Sequence, residues 1–306
     1  MSDSTDPPTT RPGADAAVFD WYSATIDDDP FEVIRVLEGN LHAVERRVHG
    51  RRNYPEGAQL VREGNVVATV YYGGSNGNPN AFASGEDAIR FAEVVRHHWP
   101  SPQHYVTRAD VAYDFKEGKP WDELYELCVA TADAARPRLS LATEGDWVRA
   151  EEDFPGGRTL YVGSRKSAVF SRLYEKGKQL RAAFPDQLDK FPLDWVRLEL
   201  EVKPEHDARL IVAGLDPVDV WGTSKWATSL HAAVFDSGLS PVPMQKWRQP
   251  DDARAWSYLL QQYGPLLRRK VAAELARLED AGHVVRGADA ESVWRELGSE
   301  LGAALN

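Results

Sequence analysis

Hydrophobic and polar positions alternate with a period of two in three separate stretches of the chain. These stretches are Tyr105–Phe115, Gly157–Lys176 and Trp195–Lys203. Such alternation is typical of β-strands with one face in the core and the other face polar. The second stretch is interrupted by Gly163-Ser164-Arg165-Lys166-Ser167, which is rich in turn-forming residues, so it predicts a β-hairpin.

Further strands and helices are predicted around these three stretches. Strands are predicted at Val18–Ile26, His42–Val48, Val66–Tyr72 and Leu139–Val148. Helices are predicted at Phe31–Leu37, from Ser84 to Pro100, and at Pro120–Ala135, Asp207–Ala213, Asp216–Val220 and Thr223–Phe235. Ser84 and Asp87 have the spacing of a capping box at a helix start. We therefore predict an α+β protein with a curved, largely antiparallel β-sheet flanked by helices.

Composition divides the chain of 306 residues into three parts. Residues 1–17 are polar and rich in proline, which predicts a disordered tail. Residues 18–240 hold the predicted sheet and its helices. A segment rich in proline follows at Pro241, and residues 241–306 are predicted to form a helical C-terminal region.

Net charge and cysteine content limit the classes of function. The chain has a formal charge of −11, which argues against a nucleic-acid coat protein but allows local basic patches that bind DNA. The single cysteine, Cys128, excludes an internal disulfide and a cysteine zinc site, and it is expected in the core. No apolar stretch is long enough to span a membrane, so we predict a cytoplasmic protein.

The predicted hairpin is basic in an acidic chain. Between Arg158 and Arg181 there are seven Lys or Arg residues and one acid, a net charge of +6. On its second strand the period of two places Phe170, Arg172, Tyr174 and Lys176 on one face. Two interpretations are open: a site for phosphate chemistry at the tyrosine, or a solvated hairpin with a half-buried strand aromatic. Arg46, Arg47, Arg51 and Arg52 form a second basic group, either a phosphate-contacting patch or solvated charges at a turn.

The other two alternating stretches carry acids on their polar faces: Asp110, Asp114, Glu199 and Glu201. If these strands are neighbours, the carboxylates lie close together and destabilise the sheet unless cations neutralise them. A bound Mg²⁺ or Mn²⁺ would do so, because hard cations prefer carboxylate oxygen. An ion-pair lattice with Arg108, Arg197 and Lys203 is the alternative, and charge alone does not separate the two.

Together these features fit a tyrosine nucleophile that attacks a metal-polarised phosphate. Tyr174 is the candidate nucleophile, and Arg172, Lys176 and a cation are expected to favour its phenolate. We expect Arg108, Arg165, Lys166 and Arg197 to contact DNA, because arginine and lysine neutralise phosphate.

The sequence resembles the Rep-trans type of rolling-circle replication initiators, which includes plasmid initiators, phage initiation factors and relaxases of conjugative elements. The matching segments are Arg108–Asp114, Thr159–Ser167, Arg172–Lys176, Trp195–Glu201 and Gln262-Tyr263-Gly264-Pro265. The similarity spans Val18–Leu267.

The resemblance implies a site-specific DNA nickase in residues 18–240. Its tyrosine would cut one strand at an origin, stay linked to the 5′ phosphate and leave a 3′ hydroxyl for a polymerase. It implies Mg²⁺ or Mn²⁺ held by acidic residues. Tyr174 occupies the motif tyrosine, and a second tyrosine of some relatives is replaced here by Phe170. Origin DNA would be the main partner, with a host helicase, a host polymerase and a second copy of the chain as candidates.

Several choices stay open at this level. Tyr161 is an alternative nucleophile, and the sequence does not decide which of the acids bind metal. A non-catalytic DNA-binding protein on the same scaffold is the second interpretation of the function. A small-molecule binding protein is the third, and it leaves the basic hairpin unexplained.

Overall fold

The structure is a computed structural model of the chain. It describes residues 17–244, apart from 52, 76, 117–120, 137–138 and 149–155, together with helical positions 270, 273, 276 and 277. Contacts divide the chain into two compact units, Met1–Lys246 and Trp247–Asn306. The tail predicted before Ala17 and nearly all of the predicted C-terminal helical region lie outside the described residues.

Ten strands form one sheet in the described part of the chain. They are β1 Val18–Ile26, β2 Val44–His49, β3 Glu56–Arg62, β4 Asn65–Tyr72, β5 Asn80–Ser84, β6 His104–Phe115, β7 Leu141–Gly145, β8 Arg158–Val162, β9 Val169–Tyr174 and β10 Val196–Val202. Their spatial order is β2-β3-β4-β5-β1-β6-β10-β9-β8-β7. Every pairing is antiparallel, so the predicted α+β class and sheet type are confirmed.

The described α-helices are α1 Pro30–Leu41, α2 Glu86–His98, α3 Trp121–Ala134, α4 Lys176–Ala183, α5 Ala208–Ala213, α6 Pro217–Val220 and α7 Lys225–Phe235. Short 3₁₀ segments lie at Pro185–Lys190 and Trp221–Thr223. None of the helices described has the length and apolar composition needed to cross a lipid bilayer.

The helices pack on the apolar face of the sheet. The ring of Tyr22 on β1 contacts Phe91 of α2 at 6.4 Å, and Tyr113 on β6 contacts Phe235 of α7 at 4.3 Å. The Tyr113 hydroxyl also hydrogen-bonds His231 of α7 over 2.9 Å. Cys128 of α3 is fully buried in this core, as the sequence predicted.

The register places the polar side chains of the central strands on the opposite face. Asp110 of β6 lies opposite Glu201 of β10, and Glu199 lies opposite Arg172 of β9. Residues directly opposite each other in an antiparallel pair point to the same side of the sheet. The sheet therefore collects side chains from β6, β10 and β9 on one polar surface.

Three elements were not predicted: the strands β3 and β5 and the helix α4. The predicted capping box is wrong, because Ser84 is the last residue of β5 and Gly85 is the N-cap of α2. Gly85 has a positive φ of 63°, which glycine adopts without strain. Because glycine has no side chain, the start of α2 has no side-chain cap. Asp29 does cap α1, where its carboxylate accepts hydrogen bonds from the amides of Phe31 and Glu32.

Candidate active site

Tyr174 lies at the end of β9 on the polar face and lines an open pocket of about 300 Å³. The pocket is lined by Asp20, Thr159, Tyr161, Arg172, Tyr174, Lys176, Gln179 and Glu199. Tyr174 is half-buried, so the pocket leaves part of its side chain accessible. The predicted face of β9 is correct for Phe170, Arg172 and Tyr174.

The guanidinium of Arg172 lies among three buried carboxylates. Its Nη2 donates to Glu199 Oε1 and to Asp110 Oδ2, the latter over 3.2 Å, and lies 3.9 Å from Glu201 Oε2. The side chains of Asp110, Glu199 and Glu201 are only 1%, 3% and 8% exposed. Because these acids come from two neighbouring strands, the sheet register itself creates the cluster.

Two further cations complete the neutralisation of the cluster. Arg108 binds Asp110 through two nitrogens, at 2.7 and 2.5 Å, and its Nη2 lies 2.8 Å from Glu201 Oε2. Lys203 pairs with the other oxygen of Glu201. The ion-pair lattice considered from the sequence is therefore present, with three cations facing three carboxylates.

Burial shifts the protonation of the two most enclosed acids. Burial raises the pKa of Glu199 to about 7; Arg172 opposes the shift and the charge of Asp110 adds to it. Burial also raises the pKa of Asp110, against the influence of Arg108. Removing the arginines would raise both pKa values further, because each carboxylate would then face only like charge.

Asp114 and Arg197 need correction as predicted site residues. Arg197 binds Asp114 through two nitrogens at 2.7 and 2.6 Å, and Asp20 lies 2.5 Å from its Nη1. Trp195 Nε1 also donates to Asp114 over 2.7 Å. Since Arg197 is 8% exposed, it is an internal ion-pair partner rather than a surface contact for DNA. The hydrogen bonds of Asp114 are with Arg197 and Trp195. Asp114 therefore lies apart from the group of acids around Arg172.

In the residues that the structure describes, no three His, Cys, Asp or Glu side chains are arranged to hold a metal ion. Asp110 and Glu199 nevertheless offer carboxylate oxygens, the donor type that Mg²⁺ prefers. Mg²⁺ is commonly bound by one or two carboxylates, with water and substrate phosphate completing its coordination. Glu199 and Asp110 meet at one guanidinium and have raised pKa values, which are features of two carboxylates that a cation would stabilise.

The arginines near Tyr174 do favour its phenolate, as expected, but burial outweighs them. Burial raises the pKa of Tyr174, and the charge of Glu199 raises it further, against the weaker opposing influence of Arg197. The phenol is therefore neutral in the resting protein. Lys176 Nζ lies 5.6 Å from the centre of the Tyr174 ring.

Tyr161, the alternative nucleophile, lines the same pocket from β8, next to Arg172 in the register. Its hydroxyl donates to Glu144 Oε2 over 2.5 Å. Arg165 stacks over its ring at 4.5 Å and also pairs with Glu144. The Tyr161 hydroxyl thus has a carboxylate partner at the outer side of the hairpin, away from the acids around Arg172.

Lys176, Arg165 and Lys166 occupy different structural settings. Lys176 is the first residue of α4 and not part of β9, yet it lines the pocket with Tyr174. Burial lowers the pKa of Lys176, and the charge of Arg197 lowers it further. Arg165 and Lys166 lie exposed in the turn of the hairpin, where a DNA backbone can reach them.

Asp20 is a pocket residue that the sequence analysis missed. It lies on β1 between Phe19 and Trp21, where the pairing with β6 shifts register. It lines the pocket and pairs with Arg197. Simple alternation does not reveal a residue at such an irregularity, although an acid inside an apolar first strand is a usable signal.

Replacing Glu175 by Gln is expected to lower the free energy of unfolding by about 3 kcal/mol at pH 7. Glu175 is 6% exposed, accepts from the amide and guanidinium of Arg158 and lies 3.1 Å from Lys178 Nζ. Without its charge, Arg158 of β8 and Lys178 of α4 lose this carboxylate partner. Urea denaturation measures the difference from wild type.

The effect of Glu175→Gln should shrink in acid. Burial acts to raise the pKa of Glu175, but the hydrogen bonds from Arg158 outweigh it and hold the pKa below 4.5. The stabilisation is therefore complete above 4.5 and is lost as the pH falls through the lowered pKa. Glu144→Gln, at a side chain 65% exposed, is the control and should cost less than about 1 kcal/mol. A penalty for Glu175→Gln that stays constant down to pH 3 would contradict this account.

A family of proteins described as replication initiation factor, Rep-trans, matches residues 104–287, more than half of the chain. The chain belongs to this family. The resemblance found in the sequence motifs is thereby confirmed, and strands β6, β8, β9 and β10 of the initiator all lie within the matched segment.

Comparison with curated proteins gives no match. Among solved structures, a rolling circle replication initiator protein from Geobacillus stearothermophilus is similar to the initiator over 81% of this chain and 96% of that chain. The two share 19% sequence identity, with a TM-score of 0.47.

Proposed function

We propose that this initiator starts rolling-circle replication by nicking one strand of origin DNA with Tyr174 and a divalent metal ion. The observation that carries the proposal is that Tyr174, Arg172 and Glu199 line one open pocket on the polar face of the sheet. Membership of a replication initiation factor family supplies the substrate class, DNA.

In the proposed reaction, the Tyr174 hydroxyl loses its proton to water in the pocket and attacks the scissile phosphorus. A bond forms between the phenol oxygen and phosphorus, and the bond from phosphorus to the 3′ oxygen breaks. The 3′ oxygen takes up a proton and leaves as a hydroxyl that a polymerase can extend. The 5′ phosphate stays linked to Tyr174 until the ends are rejoined.

Positive charge around the pocket would serve the transferred phosphate. Lys176 faces the Tyr174 ring, and the partly exposed Arg172 also lines the pocket. Charge at these positions stabilises the negative charge that develops on a phosphate in the transition state. Arg108, Arg165 and Lys166 would hold the DNA backbone on either side.

Glu199 and Asp110 are the residues proposed to hold Mg²⁺ or Mn²⁺, with Glu201 beside them. A bound cation would polarise the phosphate and offset the negative charge of Glu199 that now raises the pKa of Tyr174. Binding requires Arg172 to release its contacts with these acids, and the phosphate is the anion to which Arg172 would turn.

A non-catalytic DNA-binding protein is the second candidate function. One observation favours it: every one of the four predicted metal ligands has an arginine partner. In that case the acids serve the stability of the sheet, and the basic hairpin binds DNA without cutting it. Salt-sensitive binding without cleavage in Mn²⁺ would identify this function.

Incubation with a supercoiled plasmid that carries the initiator's own locus tests the proposal. We expect open-circular plasmid in Mn²⁺, none in EDTA, and a loss of about 10²-fold or more in the Glu199→Gln variant because a charged ligand is gone. Agarose gels of a time course, with a manganese titration, measure this. Asp146→Asn, a change in the loop after β7, is the control. An unchanged manganese response in Glu199→Gln would exclude Glu199 as a ligand, and plasmid that stays supercoiled with the wild-type initiator would exclude the nickase.

A further inference from the structure

We propose that a row of four aromatic side chains on the polar face binds single-stranded DNA and leads it to the Tyr174 pocket. The aromatic row consists of Trp21, Phe82, Tyr71 and Tyr54. This inference rests on the proposed function, which it deepens by assigning a binding track for the strand. The row lies before residue 104, outside the segment matched by the family.

The register of β1, β5 and β4 places Trp21, Phe82 and Tyr71 on the same face as the acids, and Tyr54 joins the row from the loop before β3. Trp21 lies opposite Asp110, and Phe82 lies opposite both Ser23 and Thr69. The ring centres of Trp21 and Phe82 are 5.1 Å apart with 10° between their planes. Phe82 lies 5.7 Å from Tyr71, which lies 6.4 Å from Tyr54.

The rings are placed to offer their faces to bases. All four side chains are partly exposed, although the core of the protein lies on the other side of the sheet. A separation of 5.1 Å between nearly parallel rings exceeds the contact distance of stacked carbon atoms, about 3.5 Å, so the two rings are offset. The Trp21 and Phe82 rings therefore overlap only in part.

Arg108 connects the aromatic row to the pocket. Its guanidinium lies 4.7 Å above the Trp21 ring and binds Asp110, which in turn contacts Arg172. From β4 to β9 the sheet crosses five strand spacings, a path of roughly 24 Å at about 4.8 Å each.

The far end of the row carries charge complementary to phosphate. Arg46 on β2 lies opposite Gln59, on the line of residues that continues through Thr69 to Phe82. Arg46, Arg47 and Arg51 are all exposed. Single-stranded DNA is typically held by such a combination of stacking rings and cations along its backbone. Of the basic group noted in the sequence, the register places Arg46 on the same track.

The competing explanation is that cross-strand aromatic contacts only stabilise the sheet. Both explanations predict lower stability when a ring is removed, but only the proposed track predicts weaker binding of single strands. Tyr71→Leu and Phe82→Leu retain apolar bulk and remove the ring. Phe31→Leu is the matched control, because Phe31 is 54% exposed and contacts Tyr72 on the helical side.

The experiment measures binding of fluorescein-labelled oligothymidylate, 8 and 20 nucleotides long, to the full chain in EDTA by fluorescence anisotropy. Tyr71→Leu and Phe82→Leu should each raise Kd about tenfold, as expected when one stacked base is lost, and Phe31→Leu should leave Kd unchanged. Unlabelled duplex of the same length should compete poorly. Thermal melting of each variant reports its folding.

Wild-type affinity in Leu variants that melt cooperatively would overturn the proposal, as would equal competition by duplex or no binding by the wild-type chain. If the variants do not fold, photocrosslinking of the wild-type chain to 5-iodouracil oligonucleotides decides. The proposal requires adducts on the peptides that contain Tyr71 or Phe82. Adducts found only on other peptides would overturn it.

A chain that binds through the row but does not nick plasmid contradicts the proposed nickase alone. A chain that nicks while the Leu variants bind normally contradicts the track alone.

Discussion

Replacing Tyr174 by Phe is expected to abolish covalent attachment of the initiator to DNA and to slow nicking by about 10³-fold or more. The substitution removes the proposed nucleophilic oxygen and keeps the ring that lines the pocket. A suicide oligonucleotide with a label on the 3′ side of the nick should give a labelled protein band with wild type. The same band should be missing with Tyr174→Phe, and peptide mass spectrometry should place the adduct at Tyr174.

Tyr161→Phe is the matched control for Tyr174→Phe. Tyr161 lines the same pocket, but its hydroxyl donates to Glu144 and not to the acids around Arg172. We expect this variant to keep the adduct and most of the nicking rate. An adduct that persists in Tyr174→Phe and maps to Tyr161 would identify Tyr161 of β8 as the nucleophile.

Replacing Arg172 by Gln is expected to lower the free energy of unfolding by about 3 to 5 kcal/mol in the absence of divalent cations. The guanidinium contacts both Asp110 and Glu199, which are almost fully buried. Without it these like charges face each other with less compensation, and Mn²⁺ should then restore part of the lost stability. Urea denaturation in EDTA and in Mn²⁺ measures both effects.

Arg165→Gln is the control for the charge change. Arg165 lies on the same hairpin, but its side chain is 67% exposed and pairs with an equally exposed Glu144. Such surface pairs contribute about 0 to 1 kcal/mol, so little loss and no manganese effect are expected. If manganese fails to stabilise Arg172→Gln, the acids around Arg172 are not a metal site.

The alternation of the central strands made their polar faces predictable. Because β6 and β10 alternate cleanly, the sequence assigned Asp110, Glu199 and Glu201 to polar faces, and the sheet register then brings them together. The strands β3 and β5 were missed for physical reasons. The sequence of β5 is five residues long and rich in alanine, and β3 begins with Glu56-Gly57, so neither has the β-branched alternation of a typical strand.

The sequence alone does not predict the ion pairs and protonation states of the site residues. The alternation alone places Arg197 and Asp114 on the polar face. It does not reveal that Arg197 pairs with both Asp114 and Asp20. It likewise suggests that cations beside Tyr174 favour the phenolate. The arginines do act in that direction, but burial, which depends on the three-dimensional surroundings, outweighs them and raises the pKa of Tyr174.

The strand order has a consequence for how the chain folds during its synthesis. Neighbours in the middle of the sheet are distant in sequence, as in the pair of Arg197 with Asp20, which are 177 residues apart. Loop closure over such separations makes folding slow compared with that of proteins built from local contacts. During translation, β10 leaves the ribosome long after β1 and β6, so a truncated chain that ends before Val196 lacks Glu199 altogether. A chain that ends there therefore cannot complete the group of carboxylates around Arg172.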